Sequence, residues 1–227
     1  MGDETAPDAP RSERNSQYRR SLRATFNRRR FERVMELVNL GPRDRILDLG
    51  CGRGRKGVAY YNRVNPIVGV DRLPPEMIDR LSDNFRYVRG NASDLKPFAD
   101  RSFDVVVSFG LLEHLNDDEV RRIAADTPRL AGRFAHVVPH PLAFVEPHTR
   151  MPLFGRWPAG LRSWYVRFFA RGKSADYWEG LVWRSSSHWR ALFGDSDLRI
   201  TSHWYGPLLL YQIVYGGRLE GPSALGG

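Results

Sequence analysis

The sequence predicts a doubly wound α/β fold, in which a mostly parallel sheet carries helices on both faces. Short apolar runs alternate with helical patterns between residues 46 and 139, a rhythm typical of parallel sheets. Two strand-like runs, 198–205 and 208–215, then follow each other across Gly206-Pro207, which predicts an antiparallel pair. We therefore expect seven strands, with a helical cap inserted over 139–187 before the terminal pair.

Length and composition favour one globular domain. A chain of 227 residues, 41% hydrophobic and 12% aromatic, can bury one full core. No apolar run reaches the roughly 18 residues that cross a bilayer. Residues 1–14 are polar, charged and rich in Ala and Pro, which predicts a disordered tail and leaves 15–227 as the domain. A single cysteine, Cys51, and an N-terminus without an apolar core indicate a cytoplasmic location.

Helical periodicity runs over 16–40 and is expected to stop at Gly41-Pro42, because proline lacks the amide hydrogen that a helix needs. Packing of this helix on the domain is the simpler interpretation. A lid that touches substrate through Tyr18 or Phe26 is the functional alternative.

The remaining elements follow in chain order. Strands are predicted at 46–49, 66–71, 85–89, 102–109 and 133–139. Helices are predicted at 56–62, 76–81 and 117–130, and further helices carry Trp164 and Trp189. Ser185 to Ser187 are typical of a helix N-cap.

The loop after the first strand fits two cofactor fingerprints. The pattern G-x-G-x-x-G, with an acid nineteen residues after its first glycine, is typical of dinucleotide-binding βαβ units and is formed by Gly52, Gly54, Gly57 and Asp71. The overlapping pattern D-x-G-x-G-x-G resembles the S-adenosylmethionine loop of class I methyltransferases and is formed by Asp48, Gly50, Gly52 and Gly54.

Four successive segments decide between the two fingerprints. They are D-L-G-C-G-R-G at 48–54, V-G-V-D at 68–71, G-N-A-S-D-L-K-P-F at 90–98 and F-D-V-V-V-S-F-G-L-L-E-H-L at 103–115. Together they resemble the motifs of class I S-adenosylmethionine-dependent methyltransferases, in the subgroup of small-molecule and glycan-type enzymes. Dinucleotide enzymes usually carry an apolar residue in place of Asp48 and lack the last two motifs. The resemblance implies a Rossmann-like fold and S-adenosylmethionine as methyl donor, with S-adenosylhomocysteine as product.

The resemblance also implies a cofactor-binding set: Asp48, Gly50, Cys51, Gly52, Gly54, Asp71, Arg72, Leu73, Asn91, Ala92, Ser93, Phe109 and Gly110. Asp48 would reach the cofactor's ammonium through water, and Asp71 would accept both ribose hydroxyls. Leu73 would flank the adenine, while Asn91 and the Ala92 amide would read its edge. The family commonly has Asp at the position of Asn91, whose amide oxygen can still accept from the adenine amine, without charge.

Methyl transfer requires alignment of the two reactants and, for some acceptors, a general base. Methyl transfer is an in-line displacement at an activated carbon, so the protein mainly orients and desolvates the reactants. An oxygen or protonated nitrogen acceptor must also lose a proton. His114 and His140 are the candidate bases, with a structural role as the alternative for His114.

Substrate contacts are expected from the 139–187 insertion. Its segment E-P-H-T-R-M-P-L-F-G-R-W-P at 146–158 resembles a stretch of methyltransferases associated with glycan or lipid-linked sugar pathways. The candidate substrate residues of the chain are Tyr18, Glu146, His148, Trp164 and Tyr165. No metal is predicted, although the proximity of His140, Glu146 and His148 in sequence keeps a metal site as a minor alternative.

Another part of the insertion permits a membrane role. Its apolar residues are expected on one face of a helix that either packs on the domain or lies in a membrane interface, with arginines at its margins. That face is formed by Leu161, Trp164, Tyr165, Phe168 and Phe169.

The charge leaves several partners open. A net charge of +9 and a pI of about 10.1 suit nucleic acid, an anionic membrane or an acidic substrate, but the arginines are spread along the chain rather than clustered. We expect methyl transfer to oxygen or nitrogen of a small-molecule or glycan/lipid-linked acceptor. An RNA methyltransferase and a non-catalytic S-adenosylmethionine-binding protein are the alternatives, and the oligomeric state is open.

Overall fold

The computed structural model describes residues 25–54, 65–79, 82–142, 151, 154, 157–169, 181–194, 197–205 and 208–217. Predictions for the tail 1–14, for the helix at 56–62 and for Tyr18, Glu146 and His148 lie outside these residues. Within the described part, no helix is long and apolar enough to cross a membrane.

All seven predicted strands are present and form a single sheet. They are β1 (Ile46–Leu49), β2 (Ile67–Asp71), β3 (Phe85–Arg89), β4 (Val105–Phe109), β5 (Arg133–Pro139), β6 (Arg199–Tyr205) and β7 (Leu208–Gly217). The order across the sheet is β3-β2-β1-β4-β5-β7-β6. The first five strands are mutually parallel, whereas β7 is antiparallel to both β5 and β6. The predicted fold class, including the antiparallel terminal pair, is confirmed.

Four helices flank this sheet in the described part of the chain: α1 (25–37), α2 (Asp117–Leu130), α3 (Ala159–Phe169) and α4 (Ser186–Phe193). The two helix starts that sequence signals predict are confirmed. Asn116 and Glu119 form a reciprocal capping box at α2, and the Ser185 hydroxyl accepts from the His188 amide at α4.

Side chains alternate between the two faces of the sheet and divide the core into two layers. Leu47, Leu49 and Val106 face α2 and α4, where they pack with Ile123 and Trp189. The second layer lies between the opposite face of the sheet and the helix α1, and contains Phe31, Val34, Val38, Ile46, Val105, Val107, Phe109 and Tyr211. Most of these strand residues are buried, as expected for strands covered on both faces.

Helix α1 ends at residue 37, three residues before the predicted end. Asn39 has a left-handed backbone with φ of 47°. The Arg133 guanidinium donates to the carbonyls of Val38 and Asn39 over 2.8 and 2.6 Å. A distant side chain therefore satisfies the carbonyls at this helix end, which sequence periodicity does not reveal.

The helix predicted over 76–81 is wrong in its first half. The chain forms one 3-10 turn, Pro75–Met77, and Ile78 is extended with φ of −88° and ψ of 128°. The Asp79 amide then donates to the carbonyl of Arg53 over 3.0 Å. Contact with the loop after β1 thus replaces the helical hydrogen bond. Residues 80 and 81 lie outside the described part.

Candidate functional site

The loops that follow β1, β2, β3 and β4 meet at one edge of the sheet. These strands are parallel, so their carboxyl ends share that edge, and the strand order reverses between β1 and β4. Crevices at such a reversal are where open α/β sheets bind ligands. The predicted cofactor residues of the four loops are therefore brought to one place.

We call the glycine loop after β1, residues 50–54, the cradle. Gly50, Gly52 and Gly54 all have positive φ, between 58° and 81°, which L side chains rarely adopt. A Cβ at Gly50 would lie 2.9 Å from the Leu111 side chain. A Cβ at Gly52 would have no heavy atom within 4 Å, so this side of the loop faces open space. The backbone can therefore approach a ligand closely at Gly52.

Asp71 ties the loop after β2 to this cradle. One of its carboxylate oxygens accepts from the Gly52 amide at 2.8 Å, and the other accepts from the Leu73 amide at 3.1 Å. The Tyr87 hydroxyl, 2.8 and 2.6 Å from the carbonyls of Asp71 and Leu73, holds the same turn from below. Burial, and then the charge of Asp71, raise the pKa of Tyr87 to about 12, so it remains a donor. Each Asp71 oxygen keeps a lone pair for a ribose hydroxyl.

Asn91, after β3, differs from the sequence expectation. Its side-chain oxygen lies 2.9 Å from Arg72 Nη2, 3.2 Å from the Ser93 amide and 3.1 Å from Ser93 Oγ. Arg72 and the Ser93 amide are obligate donors, which fixes the oxygen, rather than the nitrogen, on their side. The oxygen expected to accept from the adenine amine is thus engaged elsewhere, and the amide nitrogen takes the other side. Ala92 and Ser93 are buried beside it.

Asp48 and Cys51 lie within the core beneath the loop. Asp48 is 4% exposed and Cys51 is 7% exposed. Cys51 Sγ lies only 2.7 Å from the position that a Cβ on Gly69 would take, so the thiol faces β2. Burial, followed by the charges of Asp48 and Asp71, raises the pKa of this thiol. Cys51 can contribute to a bound ligand through its backbone rather than as a thiolate.

The end of β4 forms the opposite wall. Phe109 is 8% exposed and stacks on Phe31 of α1, with ring centroids 3.8 Å apart. Gly110 follows with φ of 74° and is itself exposed. Its missing Cβ would lie 3.3 Å from a carboxylate oxygen of Glu113. Glu113 and His114 belong to a 3-10 turn, Leu112–His114, in which Glu113 is buried and His114 partly buried.

His140 follows β5 at the same edge of the sheet. It is 8% exposed, and its Nδ1 lies 3.0 Å from the Leu142 amide, which can only donate. Burial lowers the pKa of His140, so the ring is neutral near pH 7. The proton of the neutral ring is therefore on Nε2, which makes that atom a hydrogen-bond donor. Action as a base would require another tautomer.

The apolar residues of α3 do not all face the same way, although their spacing predicts a single apolar face. Tyr165 packs into a separate cluster with Phe154 and Trp157, each with a ring centroid 5.8 Å away. Trp164, by contrast, is 51% exposed. The apolar face predicted for this helix is thus divided between an inner and an outer side.

In the described residues, no group of three or more His, Cys, Asp or Glu side chains could hold a metal.

Sequence reasoning missed two features of the site. The first is Glu113, a buried acid against Gly110, whose signal was its place inside the motif at 103–115, shortly after β4 ends. The second is the approach of Arg30 to Phe109 and Tyr211, which lie far apart in the chain. No local pattern joins these three residues.

Comparison with known proteins agrees with the fold and the cradle. Residues 46–131 match a family model described as a methyltransferase domain. The matched residues contain the cradle and its motifs, in agreement with the resemblance of this segment to class I S-adenosylmethionine-dependent methyltransferases.

Two curated relatives and two solved structures illustrate the likeness. An uncharacterised methyltransferase of Bacillus subtilis, YcgJ, is 33% identical over 101 residues, 40% of this chain and 38% of its own length. The 27-O-demethylrifamycin SV methyltransferase of Amycolatopsis mediterranei is 30% identical over 116 residues, 46% of this chain and 42% of its own length. The chain therefore spans only about two fifths of these relatives.

The solved structures extend the similarity of the fold over more of the chain. Geranyl diphosphate C-methyltransferase of Streptomyces coelicolor superposes with a TM-score of 0.55 and 16% identity, covering 84% of this chain and 78% of its own. The crystal structure of the Bacillus YcgJ protein gives a TM-score of 0.52 with 18% identity, covering 82% and 97%.

Proposed function

We propose that this protein binds S-adenosylmethionine in the cradle and transfers its methyl group to oxygen or nitrogen of a small-molecule or glycan/lipid-linked acceptor. The observation that carries the proposal is the bridge from the Gly52 amide through the Asp71 carboxylate to the Leu73 amide. This bridge places an acid with spare lone pairs beside an open glycine backbone. S-adenosylmethionine joins a ribose and an amino-acid group through one sulfur. The acid can accept from the ribose hydroxyls, and the open glycine backbone allows close approach of the amino-acid group.

The residues around the cradle fit the cofactor. Bound S-adenosylmethionine supplies a methyl group on a sulfonium, whose C–S bond breaks to a neutral thioether as the acceptor's lone pair forms the new bond. Phe109, stacked on Phe31, provides an apolar wall that excludes water from the adjoining space. His140 Nε2–H is a donor that can orient an acceptor oxygen. These residues position the reactants, which is most of what the reaction requires.

The arginines weaken the case for RNA as acceptor. Arg45 pairs with Asp104, and Arg133 pairs with Asp44 and caps the end of α1. Arg129 and Arg184 likewise donate to backbone carbonyls of neighbouring loops. Part of the positive charge thus holds the fold together rather than forming a phosphate-binding surface. One relative, the 27-O-demethylrifamycin SV methyltransferase, is named for a small-molecule acceptor. This supports a small molecule rather than RNA as the acceptor.

Calorimetric titration with S-adenosylhomocysteine tests the cofactor site. We expect Asp71→Ala to lose binding at least tenfold, because both loop amides and the ribose lose their acceptor. Asp83→Ala is the matched control, since Asp83 is exposed in the turn before β3, at the other edge of the sheet. Equal affinities of the two variants would remove the site assignment.

A second assay tests catalysis. Protein is incubated with a labelled methyl donor and fractionated cell extract, and label is followed into lipid, glycan, RNA and small soluble products. We expect label in a small-molecule, glycan or lipid fraction. Binding without transfer to any fraction would favour the non-catalytic alternative, and label confined to RNA would favour the RNA methyltransferase.

A further inference from the structure

A second crevice lies at the amino-terminal edge of the sheet, away from the cradle. It has a volume of about 320 Å³. Pockets for small molecules begin at roughly 300 Å³. Its lining includes Arg45, Pro66 and Phe103, which stand one or two residues before β1, β2 and β4. The cradle follows the carboxyl end of β1, so the two sites lie at opposite edges of the same parallel strands.

The crevice exists because no helix covers the sheet at this point. Residues 90–104, all of which the structure describes, connect β3 to β4 through turns and irregular backbone. Val68 and Arg86 are register partners in the parallel pair of β2 and β3, so they lie side by side on one face of the sheet. Val68 is only partly buried and Arg86 is exposed. This part of the face is therefore open to a ligand.

Apolar side chains form most of the lining. Val68 and Phe98 are partly buried against the main core, and Phe103 is buried within it. The rings of Phe98 and Phe103 meet edge-on, with centroids 5.5 Å apart. The apolar lining is completed by Pro66, Pro97 and Ala99. An apolar ring bound here would leave water for contact with these side chains, which is favourable.

The polar groups of the crevice carry an excess of positive charge. Arg45 is paired, because its Nε and Nη2 lie 3.1 and 3.2 Å from the two carboxylate oxygens of Asp104. Arg86 forms no hydrogen bond or ion pair with the residues that the structure describes. The buried hydroxyl of Ser102, also in the lining, likewise has no partner in the described part of the chain. Asp104 thus neutralises one guanidinium and leaves the other for a ligand.

We propose that this crevice binds a small aromatic carboxylate, with the ring against Val68 and Phe98 and the carboxylate paired with Arg86. Guanidinium groups bind carboxylates through paired N–H donors, which makes the carboxylate the matching anion. A cationic ligand would instead meet the guanidinium groups of Arg45 and Arg86. The site is separate from the cradle, and its occupation does not depend on methyl transfer.

Titration of the full chain with 2-naphthoate, followed by amide chemical shifts, tests the site. We expect saturable shifts at residues 97–103 and at Arg86. The affinity should be at least tenfold higher than for 2-naphthylmethanol, which has the same ring without the charge. Arg86→Met should weaken binding at least fivefold. Arg89→Met is the matched control, because Arg89 is exposed on the same strand but three residues away, on the other face of the sheet and outside the crevice.

A second pair of variants tests the apolar part of the crevice. Ala99→Phe adds a ring to the exposed lining without changing the charge and should abolish binding. Ala191→Phe, at an exposed position of α4 outside the crevice, should leave it unchanged. The amide spectrum of each variant shows whether it is folded.

Several outcomes would overturn the inference. They are the absence of saturable binding, equal affinity for the uncharged alcohol, and shifts centred on the cradle rather than on residues 97–103. Equal binding by the Arg86 and Arg89 variants, or undiminished binding by the Ala99 variant, would overturn it as well. None of these measurements uses methyl transfer, so each result is independent of the proposed function.

Discussion

Arg184 is completely buried and places its Nε 2.9 Å from the carboxylate of Asp117. Its two terminal nitrogens donate to the carbonyls of Leu112 and Leu115 over 2.9 and 2.6 Å. The loop after β4, the start of α2 and the segment before α4 are therefore joined by one guanidinium. This contact holds the wall of the site that contains Glu113 and His114.

Replacement of Arg184 by Met should destabilise the protein by about 2–3 kcal/mol, because the carbonyls of Leu112 and Leu115 lose a buried donor and Asp117 keeps only His188. Chemical denaturation measures the change. Arg121→Met is the control, since Arg121 forms an exposed pair with Asp118 and should cost less than about 1 kcal/mol. Similar midpoints for both variants would contradict a structural role for Arg184.

Gly52→Ala should weaken binding of S-adenosylhomocysteine at least tenfold. The added Cβ would enter the open side of the cradle, and alanine at φ of 58° would also strain the loop by about 1–2 kcal/mol. Gly132→Ala is the control, because Gly132 likewise has no neighbour within 4 Å of its Cβ position but no positive φ. Calorimetry measures both affinities. Unchanged binding by the Gly52 variant would place the cofactor elsewhere.

Asn91→Asp should tighten binding of S-adenosylhomocysteine several-fold. The carboxylate would still accept from Arg72 and Ser93, and its second oxygen would replace the amide nitrogen on the side expected to face the adenine amine. One gained hydrogen bond is worth about 1 kcal/mol. Asp94→Asn serves as the comparison at an exposed neighbouring position. Weaker binding of the Asn91 variant would mean that the adenine does not face this side chain.

The free energy of unfolding should fall in mild acid because of His136. It is fully buried, its Nδ1 lies 2.9 Å from Ser108 Oγ, and burial lowers its pKa to about 3. The unfolded chain binds a proton near pH 6.5 but the folded chain does not, so the contribution is complete above pH 6.5 and is lost as pH falls toward 3. The slope reaches about 1.4 kcal/mol per pH unit.

Denaturation between pH 7 and pH 4 measures this dependence. His136→Gln should flatten the fall in stability, whereas Ser108→Ala, which keeps the imidazole, should retain it. Parallel slopes for wild type and His136→Gln would show that other groups dominate acid unfolding.

The outer side of α3 should bind anionic bilayers. Leu161, Trp164 and Phe168 are 45, 51 and 65% exposed, Arg167 is exposed beside them, and the chain carries a charge of +9. We expect cosedimentation with vesicles containing phosphatidylserine, reduced at least tenfold in affinity by Trp164→Ser with Phe168→Ser. Trp204→Ser, at another exposed site, should not reduce it. Binding to neutral vesicles only, or self-association of the protein without vesicles, would contradict the assignment of this surface to anionic bilayers.

Local signals predicted most of the fold. Strands β1, β2, β4 and β5 are largely apolar runs, and the acids from Asp117 and the serines from Ser185 indicated two helix starts. The capping box of Asn116 was seen only in the structure. The predicted helix at 76–81 failed because Asp79 donates to Arg53, a contact that helical spacing cannot encode.

The sequence by itself determined the order of the strands along the chain, the glycine cradle and the acid that ends β2, because these depend on periodicity and on backbone conformations open to glycine. The tertiary structure decided what those side chains face. It turned the Asn91 oxygen toward Arg72, divided the apolar residues of α3 between two sides, and brought Arg30 against Phe109 and Tyr211. These relationships join residues that are distant in the chain, so packing and electrostatics within the folded domain fix them.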